Sequence, residues 1–179
     1  QPPATTTTTT QPPATTTTIP PWSGMSHPLT GVLVDNWPSE LPAIAVKIDN
    51  NDAASLPQVG LEAADIVYET QIENGVTRLL AVFHSQVPEI VGEIRSARSS
   101  DIDLISNLNM PHFAYWGHND GVGTQIREAE NAGSFVALNA SAWPTNAFFY
   151  RDSICNPGCG GLLDAARLSS WAKGTPPDP

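Results

Sequence analysis

The sequence predicts an α/β domain: a mixed sheet, with an antiparallel hairpin at residues 65–84, covered by about three helices. Three observations predict it. The apolar run AIAVKI at 43–48 stops at a turn cluster, two β-rich runs flank Asn74-Gly75, and farther along strand-like segments alternate with helical periodicity.

Ala43 to Ile48 reads as a buried strand closing at Asp49-Asn50-Asn51. Asp65 to Glu73 and Val76 to His84 read as strands joined by a two-residue type I′ turn, because Asn and Gly both accept a positive φ. That loop pairs Glu73 with Val76, Gln71 with Arg78 and Asp65 with His84. Val67, Glu69, Gln71 and Glu73 then share a face with Arg78, Leu80 and Val82, and Arg78 sits diagonally between Glu69 and Glu73. Ile90 to Arg95 is a further strand. Ser100 caps a helix through about Asn109, with Asp101 and Asp103 in its first turn and Leu104, Ile105 and Leu108 facing inward. His112 to Trp116 follows as a strand, and Asn119 or Asp120 caps a second helix to about Glu130. Phe135 to Leu138 and Ala147 to Tyr150 read as strands, and Gly161 to Lys173 as a third helix.

Composition narrows the function. The 179 residues carry 8 Lys+Arg against 18 Asp+Glu, a net charge of −10, and no basic stripe, so a general nucleic-acid binder is excluded. No run approaches the roughly 18 apolar residues of a membrane span. Two cysteines exclude a disulfide-rich scaffold. Cys155 and Cys159 flank Asn-Pro-Gly, which leaves a small disulfide loop or two free thiols open, while zinc would need further ligands.

The charge is unevenly placed, with Asp35 the first charged residue. QPPATTTT occurs at Gln1 and again at Gln11, so residues 1–27 are expected to be a disordered Thr/Pro stalk of the kind that holds proteins outside a cell envelope. Residues 28–174 are the expected globular domain. Residues 175–179 read as the start of another linker, which points to a further domain beyond it.

Arg95 and Arg98 follow a strand and precede the Ser100 helix. Guanidinium forks beside free helix N–H groups make an anion site, with Ser100 and Asp101 in its first turn and His118 on the neighbouring strand-to-helix loop. The competing reading pairs each Arg with Glu93, Asp101 or Asp103. Asp49 and Asp65, read as lying at adjacent strand ends, suit Mg²⁺ or Mn²⁺ with phosphate oxygens; turn-forming Asp is the plainer account. Asp65 opposite His84 is placed to orient an imidazole. Tyr115 and Trp116 supply either a sugar-stacking surface or core. Gly121-Val122-Gly123 lacks a third Gly or a Lys-Ser/Thr pair and reads as a turn into the helix. Neither a Gly-x-Ser-x-Gly elbow nor a Cys-His pair of recognisable spacing occurs.

Several segments resemble a known family. Pro28-Leu29-Thr30-Gly31, AVKIDNN at 45–51, GLEAADIVYE at 60–69, ENGVTRLLAVFHSQ at 73–86, VGEIRSARSSDIDL at 91–104, FAYWGHNDGV at 113–122 and FFYRD at 148–152 are similar to the YerB-like lipoproteins of bacteria, a domain of unknown function. The resemblance implies an extracytoplasmic protein, lipid-anchored ahead of the stalk, and a second, C-terminal domain. It departs after Asp152, where SICNPGCGG replaces the family's Pro-His-Asn segment.

The order of strand-Asp, Asp-strand, return strand, strand-Arg and Asp-rich helix start is also similar to the LytR-CpsA-Psr envelope phosphotransferases. That likeness is one of arrangement, since Ala63-Ala64 stand where an Arg would precede the second Asp and RSARSSD replaces a Pro-Arg-Asp turn. The sequence-based expectation is therefore a binding module for a phosphate- or pyrophosphate-containing envelope ligand such as a lipid-linked glycan. The alternative is a Mg²⁺- or Mn²⁺-dependent enzyme on phosphate-linked envelope glycans or lipids.

Overall fold

The computed structural model describes residues 24–35, 40–51, 53–151 and 161–171. Most of the stalk, Cys155 and Cys159, and the C-terminal linker lie outside the described residues.

β3 (Ile44–Asp49) is the centre of an eight-stranded sheet, buried at every position, and its apolar run is broken only by Lys47 and the terminal Asp49. A strand covered on both faces must read this way. On one side β3 pairs antiparallel with β5 (Thr77–Phe83), which pairs with the edge strand β4 (Ile66–Gln71). On the other side the sheet forks. The first half of β3 pairs in parallel with β7 (His112–Tyr115), which pairs in parallel with β8 (Val136–Asn139). At its far end Ile48 opposes Ile94 of β6 (Ile90–Ile94), which continues to β10 (Gly161–Asp164) and β9 (Phe149–Tyr150). A separate two-stranded ribbon, β1 (Met25–Ser26) with β2 (Leu33–Val34), precedes them.

Alternate residues of the sheet feed two cores, as the period of a strand requires. Ile44, Val46, Ile48, Leu79, Ala81, Phe83 and Ile94 pack with Leu163 and Leu168, the last from α3 (Ala165–Ser169). Ala45, Leu80, Val82, Phe113 and Tyr115 pack with Ile105 of α1 (Ser99–Ile105) and Ile126 of α2 (Asp120–Asn131). The mixed α/β sheet expected from the sequence is present, but sheet dominates it. Gly161–Asp164, expected to begin the third helix, is a strand, and the helix after it spans 5 residues. Gly161 cannot be helical surface because the Trp116 ring lies directly over its Cα.

The hairpin register differs by one residue from the two-residue turn. Ile72 N–H donates to the Val76 carbonyl around a three-residue loop, Glu73–Gly75, with Asn74 and Gly75 at positive φ. Gln71 therefore opposes Thr77 and Thr70 opposes Arg78. Such a slip exchanges the two faces of a strand. Ile66, Tyr68 and Thr70 turn inward beside Arg78, Leu80 and Val82, while Val67, Glu69 and Gln71 face solvent.

Candidate functional site

The fork in the sheet builds the site. Beyond Ile94 the chain runs into the gap between β3 and β7, where Arg95 N–H donates to the Lys47 carbonyl, Trp116 N–H to the Arg95 carbonyl and Ala97 N–H to the Gly117 carbonyl. The IRSAR segment is thereby fixed at the carboxyl ends of the parallel strands β3, β7 and β8, the position at which open α/β sheets bind ligands. Asp49, Arg78, Arg95, Arg98 and the 116–119 loop share this rim.

Three arginines gather there. Arg95 Nη2 is 3.0 Å from Asp49 Oδ2. Arg98 reaches the hairpin tip, donating from Nε and Nη2 to Glu73 Oε2 at 3.1 and 2.8 Å. Arg78 and Arg98 converge on one acceptor, the Ser96 carbonyl, which receives Arg78 Nη1 at 3.3 Å and Arg98 Nη1 at 3.2 Å. Among the described residues Arg78 has no ion-pair partner, and its buried Nε–H finds no acceptor. Burial and the neighbouring Arg98 pull the Arg78 guanidinium below its ordinary value, with Asp49 opposing and Arg95 adding to the shift. Asp49 and Glu73 pair with Arg95 and Arg98, and Arg78 stands beside them in a chain of net charge −10.

The acids of the rim are tuned in opposite directions. Burial pushes the Asp49 carboxyl up, but the Arg95 hydrogen bond and charge, with Ser55 and Arg78 behind them, outweigh it and hold the group below its usual range. Glu93 is pushed up by burial, and nearby Asp49 adds to this while Arg95 and Arg151 oppose it. Asn50 fixes the end of β3 by donating to Glu69 and Thr77.

Asp101 does not face a ligand. Its side chain is fully buried; Oδ1 receives Lys47 Nζ at 2.6 Å and Oδ2 receives the Arg98 amide at 2.8 Å. The first turn of α1, a helix 7 residues long, is thus capped from within by its own carboxylate. Ser100 is exposed on that turn. Lys47 also donates to Thr70 Oγ1 at 3.1 Å, and burial pulls its ammonium below the ordinary value against the opposing charge of Asp101.

Asp49 and Asp65 are not brought together. β3 and β4 are parallel across β5, so Asp49 at the end of one and Asp65 just before the other lie at opposite ends of the sheet, roughly 16 Å apart along the strand direction. Asp65 instead caps the end of β5, accepting the His84 amide at 2.6 Å, the Ser85 amide at 2.8 Å and the Ser85 hydroxyl. The His84 ring turns away to His27. Among the described residues no three His, Cys, Asp or Glu side chains are grouped to hold a metal.

His118 is exposed at the rim with its ring over Gly123 and its Nδ1 donating to the Asn119 carbonyl at 3.0 Å. Tyr115 is core, and burial pushes its phenol up to about 12. Trp116 is half-buried, with Gly161 against its ring and the Arg151 guanidinium 4.6 Å from the ring centroid.

The chain matches the family "Protein of unknown function (DUF3048) N-terminal domain" over residues 29–157. It belongs to that family. It is 39% identical to the "Putative lipoprotein YerB" of Bacillus subtilis (strain 168) over 99 residues, which cover 55% of this chain and 29% of YerB. The crystal structure of YerB from Bacillus subtilis matches with a TM-score of 0.71 at 29% identity, covering 87% of this chain and 53% of that one. The DUF3048 domain described here therefore spans about half the length of the YerB structure. Among its described residues no helix is long and apolar enough to cross a membrane.

Two residues that matter to this site carry weak signals in the sequence. Lys47 is a lone charge inside an apolar strand, a position that demands a buried partner. Arg78 depends on the hairpin register, which the turn dipeptide alone does not fix.

Proposed function

We propose that the DUF3048 domain is an envelope-associated binding module for a phosphate- or pyrophosphate-bearing ligand, held by Arg78, Arg95 and Arg98. The carrying observation is the convergence of Arg78 and Arg98 on the Ser96 carbonyl, with Arg78 lacking a carboxylate partner among the described residues. Guanidinium forks suit phosphate oxygens, and the carboxyl ends of the parallel strands are where open α/β sheets bind ligands. Envelope association is drawn from the lipoprotein name of YerB. The metal-dependent enzyme reading has less support, because Asp49 is taken up by Arg95 and Asp65 stands at the other end of the sheet.

Thermal melting with and without millimolar pyrophosphate tests the reading. Pyrophosphate raises the melting temperature of the parent protein and does so less in Arg78→Ala and Arg98→Ala. Each charge-assisted contact contributes about 1.5–3 kcal/mol, so each variant weakens binding roughly tenfold or more, and Lys at either position restores only part of it. An unshifted parent alongside destabilised variants would make these arginines purely structural.

A further inference from the structure

We propose that His27 and His84 form a proton-operated latch that docks the N-terminal β1–β2 ribbon onto the domain at neutral pH and releases it on acidification. The arginine rim lies at the other end of the sheet and plays no part. Both imidazoles are buried, with relative exposures of 2% and 4%. His27 Nε2 and His84 Nδ1 are 2.9 Å apart. His27 Nδ1 faces the Leu29 amide at 3.3 Å, and His84 Nε2 faces the Leu41 carbonyl at 3.1 Å.

These partners fix the protons. An amide only donates, so His27 Nδ1 is an acceptor and its proton sits on Nε2. That N–H points at His84 Nδ1, which must also be an acceptor, leaving the His84 proton on Nε2 to meet the carbonyl. All four ring nitrogens are satisfied, in one tautomer of each ring, only while both rings are neutral. Adding a proton to His84 Nδ1 sets two N–H groups against each other at 2.9 Å. Adding it to His27 Nδ1 opposes the Leu29 amide. Either event breaks a buried hydrogen bond and buries a charge.

The contact joins the ribbon, whose Leu29 also packs against the second core, to the body of the domain. His27 also orders the turn between β1 and β2, its amide donating to the Val32 carbonyl and its carbonyl accepting from Gly31, both at 2.8 Å. Beside it lies a cavity of about 430 Å³ bounded by Thr30, Val32 and Val34 from the ribbon and by Ala63, Ser85 and Gln86 from the body. The ionisable groups facing it, besides His27, are Glu62 and Asp65. Asp65 favours an imidazolium at His84, but its oxygens are engaged by the His84 and Ser85 amides. Burial, the largest influence on His84, and His27 both pull it below the ordinary 6.5. The undocked state therefore takes up the proton first, and docking is complete above about pH 6.5 and weakens as pH falls below it. Undocking uncovers the cavity.

Nitrogen-15 NMR of the imidazoles, with amide hydrogen exchange of His27 and Gly31 followed from pH 8 to 5, tests the latch on the unmodified protein. Both rings carry their proton on Nε2 at pH 8. Corrected for intrinsic exchange, ribbon protection falls by up to about tenfold per pH unit below 6.5 while β3 amides stay protected. In His27→Gln, whose side-chain amide can either donate to or accept from His84 Nδ1, that pH dependence weakens. A proton on Nδ1 of either ring at pH 8, pH-independent protection in the parent, or unchanged pH dependence in His27→Gln overturns the latch.

Discussion

Lys47 Nζ lies 2.6 Å from Asp101 Oδ1 with both side chains fully buried, joining the central strand to the helix that follows the arginine segment. The same carboxylate accepts the Arg98 amide, so the pair sets where Arg98 leaves the backbone. Breaking a buried pair strands a charge, whereas removing both partners does not. Asp101→Asn and Lys47→Met are each expected to cost about 3–5 kcal/mol, and Lys47→Met with Asp101→Asn clearly less than the sum. Chemical denaturation of the three variants checks the coupling; additive losses would reduce the pair to ordinary packing.

Glu73 occupies Arg98 as an anionic ligand would, from an exposed position on the hairpin loop. The Arg98 hydrogen bond is the largest of the influences that hold its carboxyl below the usual range. An exposed ion pair contributes little to stability but competes directly for the fork. Glu73→Gln is expected to leave melting almost unchanged and to enlarge the stabilisation produced by pyrophosphate. Calorimetric titration with pyrophosphate measures this, and weaker binding in Glu73→Gln would make the carboxylate part of the binding surface instead.

The central strand, the hairpin and the second helix are legible because each rests on local patterning: an apolar run broken only by Lys47, a turn dipeptide, an Asn cap at 119. The register is not. Asn74-Gly75 signals a hairpin but does not say whether Glu73 belongs to the strand or the loop, and that single residue decides which face Arg78 occupies. The sequence places Arg95 and Arg98 at the strand-to-helix junction, where they have carboxylate partners of which one, Glu73, lies on the loop whose register the turn dipeptide leaves open. Asp101 looked like a first-turn acid open to a ligand because its partner, Lys47, is 54 residues away in sequence. Gly161 looked helical because nothing near it in the chain announces the Trp116 ring.

Gly161 is the point at which β10 passes under Trp116, and a Cβ there would overlap the Trp116 ring. The ring cannot yield without displacing Arg151, which stacks over it, and Phe149, whose ring meets it edge-on at 6.2 Å. Gly161→Ala is expected to destabilise by about 1–3 kcal/mol or more, as overpacking does, and to shift tryptophan fluorescence. Unaltered melting would mean that β10 moves freely against β6.

The final prediction concerns Arg95, which holds Asp49 below its ordinary pKa of 3.8 although burial alone pushes it up. A carboxyl depressed in the folded state contributes stability above its unfolded pKa and loses it as pH falls through the folded value. Arg95→Ala removes the strongest depressing partner and leaves only Ser55 and Arg78 against burial, so the folded pKa of Asp49 rises and the stability it contributes above its unfolded pKa shrinks. The variant is then penalised most at neutral pH, where Asp49 is charged without its partner, and least in acid, where it is protonated. Glu93, already raised by burial, loses an opposing Arg95 charge and moves in the same direction. The difference in melting temperature between parent and Arg95→Ala is accordingly expected to be largest near pH 7 and to narrow toward about pH 3. A melting series across that range decides it, since a constant difference would mean that Arg95 contributes packing of its aliphatic stem rather than charge at the rim.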